Sequence, residues 1–187
     1  MRLERQPGAN PVQFDRMGDS VVALARYSVE SFVRTGRAPD LPAGVDLPED
    51  MTGRRAGAFV SLHKHGQLRG CIGTIAPMQT DLAHEIVSNA VAACSRDPRF
   101  DAVRPDELAD LQVGVDVLGP MEPCDAAGLD PVRYGVVVTN GWRRGVLLPD
   151  LEGVDTAEQQ VAIARRKAGI APGEPVELER FEVVRHE

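Results

Sequence analysis

The sequence predicts an α+β fold: a largely antiparallel β-sheet with flanking helices, arranged as two unequal lobes around a cleft. Three observations carry this. Two tight hairpins are written into the chain, at His65-Gly66 and at Asn140-Gly141, where glycine supplies the positive φ that short antiparallel turns require. Three stretches carry apolar residues at helical spacing, each ended by a stop signal. Hairpins and meanders outnumber any strand–helix–strand pattern, which argues against a parallel sheet.

Residues 1–13, with Pro7, Gly8, Asn10 and Pro11, read as a loose tail ahead of one domain spanning 14–187. Between 15 and 35, Val21, Leu24, Ala25, Val29, Phe32 and Val33 recur at helical spacing, and Gly36 is a good terminator. Pro39, Pro42, Gly44 and Pro48 make a loop. Residues 57–64 and 67–74 form the first hairpin. Thr80 or Asp81 can cap a helix running to Ser95, whose buried stripe is Leu82, Ile86, Ala90 and Cys94. Pro105 opens a short helical turn, and Val113, Val115 and Val117 alternate as a strand. Residues 120–131 read as an irregular link, and 134–139 with 142–148 as the second hairpin. Thr156 and Gln159 make a capping box for a helix through Ala168, which Gly169 ends. Residues 176–184 read as one last strand.

Composition narrows the function classes. The 187 residues are 43% hydrophobic and 26% charged, enough apolar material for a core. A net charge of -7 argues against broad electrostatic binding to nucleic acid, though a local basic patch is compatible with it. No apolar run approaches the length of a membrane span, and the start shows no signal-peptide core, so the cytoplasm is expected. Three scattered cysteines (71, 94 and 124) form neither a paired motif nor a disulfide set. The basic residues comprise nineteen Arg and only two Lys, Lys64 and Lys167. Arg-rich codon usage explains most of that bias; a lysine that persists can also mark a place where a compact ammonium is needed.

Leu68-Arg69-Gly70-Cys71-Ile72-Gly73-Thr74 is the most informative run. Glycine inside a strand marks a bulge or a close approach of backbone or ligand. These residues resemble the signature of the AMMECR-one domain family, known in prokaryotes as AmmeMemoRadiSam system protein A. The similarity includes Gly57-Ala58-Phe59-Val60-Ser61-Leu62, Ala90-Val91-Ala92-Ala93, Asp97-Pro98-Arg99-Phe100, Glu107-Leu108, Arg144-Gly145-Val146-Leu147-Leu148-Pro149 and Lys167-Ala168-Gly169. One departure follows Pro149, where the family usually has Gln and a longer aromatic stretch and this chain has Asp150-Leu151-Glu152-Gly153-Val154. The resemblance names a domain without an established reaction. It implies two partners, a MEMO-type protein and a radical SAM protein, beside or fused to which family members are encoded.

With a two-residue turn and no irregularity, Leu62 pairs with Arg69 and Val60 with Cys71. Phe59, Leu68 and Ile72 then make the core face, and Lys64, Arg69 and Cys71 share the opposite one. On that reading Cys71 is a candidate nucleophile or redox thiol beside two cations, and Lys64, Arg69, Gly70, Gly73 and Arg99 are candidate ligand-binding residues for a small anion. The bland alternatives are a small buried thiol for Cys71 and a structural ion pair for Arg99. No local base is placed for Cys71: His63 falls on the other face, His65 in the turn and His186 near the end, and His84 on the next helix, with Glu85 beside it, is the least unfavourable candidate. Metal ligation through His63 and His65 lacks tight ligand pairs, so no metal and no cofactor are expected. Trp142 reads as a packing residue, or as a partner surface if exposed; Lys167 is explained by the helix dipole. The favoured function is a cytosolic binding or accessory module with a cleft at Cys71, and the alternative is a cysteine-dependent enzyme.

Overall fold

A computed structural model describes residues 20–43 and 47–187. The predicted tail, 1–13, and the start of the first predicted helix lie outside the described residues. The α+β expectation holds, as two four-stranded sheets whose strands are all antiparallel. The first sheet runs β2 (Gln67–Gly73), β1 (Ala58–Lys64), β3 (Leu111–Leu118), β8 (Val183–His186). The second runs β4 (Glu122–Cys124), β7 (Glu177–Phe181), β5 (Gly135–Asn140), β6 (Arg143–Leu147). Helices are α1 (Ser20–Thr35), α2 (Glu49–Thr52), α3 (Leu82–Ser95) and α4 (Ala157–Ala168), and Pro105–Asp110 is a 3-10 segment.

Local chemistry sets the helix ends. The Asp81 carboxylate accepts the His84 N–H and starts α3, whose stripe Leu82, Ile86, Ala90 and Cys94 is fully buried. Thr156 and Gln159 satisfy each other's backbone N–H groups at the start of α4, and Gly169 ends it at a φ of 67°. α3 packs on β1 and β2 and α1 on α3 and β3, burying Val60, Leu62, Val113, Val115 and Val117 beneath them. α4 covers Val136 and Val138 of the second sheet. Between the sheets, Leu118, Val137 and Phe181 meet Phe59, Val146 and Leu148. The layers therefore run helices, sheet, sheet, helix, and that inner junction fixes the two sheets against each other.

The sequence reading fails at four places, each for a reason of strand register or connection. Residues 176–184 are two strands, because the chain leaves the second sheet after Phe181 and joins the first at Val183; between them the Glu182 carbonyl accepts the Gly119 N–H at 2.9 Å. The link at 120–131 contains β4, which is short but pairs with β7 through Glu122 to Arg180. The second hairpin turns on Gly141-Trp142, with Asn140 still paired to Arg143 and Gly141 at a φ of 58°.

The fourth matters most. The first turn has its predicted two residues, His65 and Gly66, both at positive φ, and Lys64 pairs with Gln67 and His63 with Leu68. Arg69 is then an extra residue in β2. Beyond it Leu62 faces Gly70, Ser61 faces Cys71, Val60 faces Ile72 and Phe59 faces Gly73. One inserted residue exchanges the faces, because side chains alternate with a period of two. Val60 and Leu62 point at the helices, not Phe59. The bulge brings Gly70 beneath α3, where a Cβ would stand 2.3 Å from the Ala93 carbonyl oxygen.

Candidate functional site

Cys71 lies half-buried on the face that the first sheet turns to the second, with Ser61 opposite it and Phe59 two residues along. This corrects the expected grouping: Cys71 shares its face with Phe59, and Lys64 and Arg69 are not its neighbours there. Its backbone is held from both sides by the segment after α3. The Asp97 Oδ2 accepts the Cys71 N–H at 2.8 Å, and the Arg99 Nη2 donates to the Cys71 carbonyl at 3.2 Å. Asp97 and Arg99 close the unit themselves, with Nε to Oδ1 at 2.9 Å and Nη2 to Oδ2 at 2.7 Å. The Asp97 side chain is only 2% exposed. The two most distinctive motifs of the sequence are thus one structural element. The Arg99 guanidinium holds the Asp97 carboxyl well below the usual carboxylate range.

Burial pushes Cys71 above its ordinary value; the Arg99 charge pulls the other way, while Asp116 and Asp97 add to the rise and Lys167 opposes it. Among the described residues, no base is hydrogen-bonded to its sulfur. The bulge does return His63 to the face of Cys71, contrary to the sequence reading, but no group of three or more His, Cys, Asp or Glu among the described residues is placed to hold a metal.

Lys64 and Arg69 meet elsewhere. Both reach Glu107, whose side chain is 7% exposed: Lys64 Nζ lies 3.2 Å from Oε1, and Arg69 Nη2 lies 2.9 Å from Oε2. Arg69 also donates to the carbonyls of Asp101 and Ala102. The Arg69 hydrogen bonds hold the Glu107 carboxyl down at about 2. This ties the hairpin end to the 3-10 segment. Gly70 and Gly73 have packing roles of the same kind, since a Cβ on Gly73 would stand 2.3 Å from the Phe59 ring.

Sequence reasoning missed Lys167 as a neighbour of Cys71. It sits in the last turn of α4, donates to the Val146 carbonyl at 3.1 Å, and its charge weakly opposes the rise of the thiol. Its rarity as one of two lysines was a signal, and the helix-end position offered an easier explanation. Cys94 is buried in the helix stripe as expected. Trp142 is 91% exposed, so it is not a packing residue.

The profile of the AMMECR1 family matches residues 22–186. The chain belongs to that family. A protein of Thermotoga maritima is 54% identical over 161 residues, 84% of this chain and 91% of that protein. A Clostridium acetobutylicum protein is 47% identical over 90% of this chain, yet the match spans only 36% of that longer protein. The crystal structure of an uncharacterized protein from Pyrococcus horikoshii superposes with a TM-score of 0.81 at 29% identity, covering 90% of this chain and 89% of that one. The fold of two antiparallel sheets with flanking helices is therefore shared with that structure. None of the described helices is long and apolar enough to cross a membrane.

Proposed function

We propose that this AMMECR1 domain is a cytosolic binding or accessory module that acts with a MEMO-type protein and a radical SAM protein, its working face being the strip around Cys71. The observation that supports it is the brace formed by Asp97 and Arg99. Two backbone groups of Cys71 are fixed by charge-assisted hydrogen bonds, which makes a rigid surface, while burial, against the pull of Arg99, pushes the thiol above its ordinary value. A nucleophilic cysteine needs the opposite, a thiolate stabilised by a base or by uncompensated cations. The anion-binding part of the reading narrows to Lys167 and Arg99: Lys64 and Arg69 are drawn onto the buried Glu107, whereas Arg99, although paired with Asp97, keeps a side chain that is 54% exposed. The long Clostridium acetobutylicum relative, most of which lies outside the match, fits a domain that works alongside other modules.

The test is association with the MEMO-type protein of the same genome, measured by titration calorimetry. Cys71→Ser is expected to leave the affinity within about two-fold. Asp97→Asn loosens the strand by weakening hydrogen bonds to a charged group and is expected to reduce affinity about ten-fold. Loss of turnover in Cys71→Ser, for any reaction the wild type performs with that partner, would decide for the enzyme instead.

A further inference from the structure

A second group of cations sits where the two sheets join, at the end of the hairpin remote from its turn. A cavity of about 280 Å³ is bounded there by Arg54, Arg55 and Arg144, with Gly57, Ile75 and Met121 completing its wall. Arg55 is aimed by backbone carbonyls: its Nε donates to Gln79 at 3.0 Å and its Nη2 to Pro77 at 3.1 Å. Arg54 is held the same way, Nε to the Asp50 carbonyl at 3.1 Å. Carbonyls orient a guanidinium without cancelling its charge, and neither arginine forms an ion pair with a described residue. Arg144 comes from β6 and is shared with Glu179 at 2.8 Å. Three exposed arginines thus line one cavity with one carboxylate paired among them, in a chain whose net charge is -7.

The loop that aims Arg55 is itself pinned from below. Glu85, 1% exposed, accepts the N–H groups of Met78 at 2.7 Å and Gln79 at 2.8 Å and the Thr74 hydroxyl at 2.6 Å. The Asn89 Nδ2 donates to the same Thr74 oxygen at 3.2 Å and to the Ala58 carbonyl at 3.0 Å. No cation meets this buried carboxylate among the described residues. A satisfied buried polar network of this kind rigidifies what it holds, and what it holds is the pair of carbonyls on Arg55. The guanidinium is pre-positioned, which lowers the ordering cost of binding.

We propose that this pocket binds the oxyanion end, phosphoryl or carboxylate, of a small ligand, with Arg55 and Arg54 as its principal donors. The planar fork of arginine matches both groups. The cavity is too small for a polymer and suits one such group, with Ile75 and Met121 against the ligand's apolar part. None of the residues lining this cavity is among those that hold Cys71.

Amide NMR shifts of the whole chain, followed against inorganic phosphate and separately malonate at constant ionic strength with chloride as control, test it. Saturable millimolar binding is expected, with shifts at Gly57, Ala76 and Met121. Arg55→Leu should weaken it at least ten-fold, Arg54→Leu several-fold, and Arg55→Lys should restore part. Phosphate without malonate marks a phosphoryl ligand; malonate without phosphate marks a carboxylate. Either supports the site. Arg54→Leu keeps the test valid if Arg55→Leu lowers the melting temperature, since it leaves the pinned loop untouched. Shifts that chloride reproduces, that survive both leucine variants, or that gather at Arg99 and Lys167 instead, overturn the proposal.

Discussion

Gly70→Val is expected to destabilise the protein by about 3 kcal/mol or more, the upper end of overpacking costs, because its first added carbon meets backbone and not a side chain that can swing away. The Cβ would lie 2.3 Å from the Ala93 carbonyl oxygen, so α3 would have to lift off the hairpin that it buries. Gly145→Val should behave alike in the other lobe, where the Ala164 carbonyl is 2.1 Å from the added carbon. Gly66→Ala is the control. It has open space around it but a φ of 76°, so it should cost only about 1 kcal/mol of backbone strain. Urea denaturation of the three variants reads this directly, and a Gly70→Val as mild as Gly66→Ala would show that the helix and hairpin are not in contact as described.

Glu107→Gln should cost about 3 kcal/mol at neutral pH, since it strips the counter-charge from Arg69 and Lys64, which are 16% and 28% exposed. Its pH dependence carries a sign. The folded carboxyl is held at about 2 against its usual 4.5, so the ionised form is favoured by folding. That stabilisation is complete above about 4.5 and is lost as pH falls through 4.5 toward 2. Asp97, also depressed, works in the same direction. The stability gap between wild type and Glu107→Gln, measured by urea denaturation, should therefore narrow between neutral pH and about pH 3. A gap independent of pH would mean that the carboxylate charge is not what holds the cluster.

Much of this architecture is legible from single residues. Asp81, the Thr156–Gln159 pair, Gly36 and Gly169 act where they stand, through bonds made within a few residues, and the helix ends they set are found where the sequence puts them. Alternation likewise reveals Val113, Val115 and Val117. The faces of the first hairpin are not legible in that way. A glycine in the strand announces either a bulge or a close approach, and Gly70 has both: the bulge at Arg69 exists and Gly70 is the point of closest approach to α3. Choosing a register without α3 in view assigns Cys71 to the wrong companions. The switch of strand at Glu182 is hidden for the same reason, since only the position of the other sheet tells the chain to change partner.

The candidate site divides along that line. Cys71, Arg99 and the Asp97 motif emerge from the sequence as distinctive, and the structure joins them through the backbone of Cys71. Lys64 and Arg69 emerge equally well, but long side chains reach to wherever a carboxylate waits, and Glu107 lies 38 residues beyond Arg69. Lys167 arrives from the far side of the second sheet, which no local pattern encodes.

The ionisation of the Cys71 thiol tests the central claim most directly. Its alkylation rate by iodoacetamide, followed across pH on the peptide that carries Cys71, should give an apparent pKa above that of a free thiol, and Arg99→Leu should raise it further by removing the strongest opposing charge. A value clearly below the roughly 8.5 of a free thiol, or one indifferent to Arg99, would contradict the account and return Cys71 to the role of an activated nucleophile.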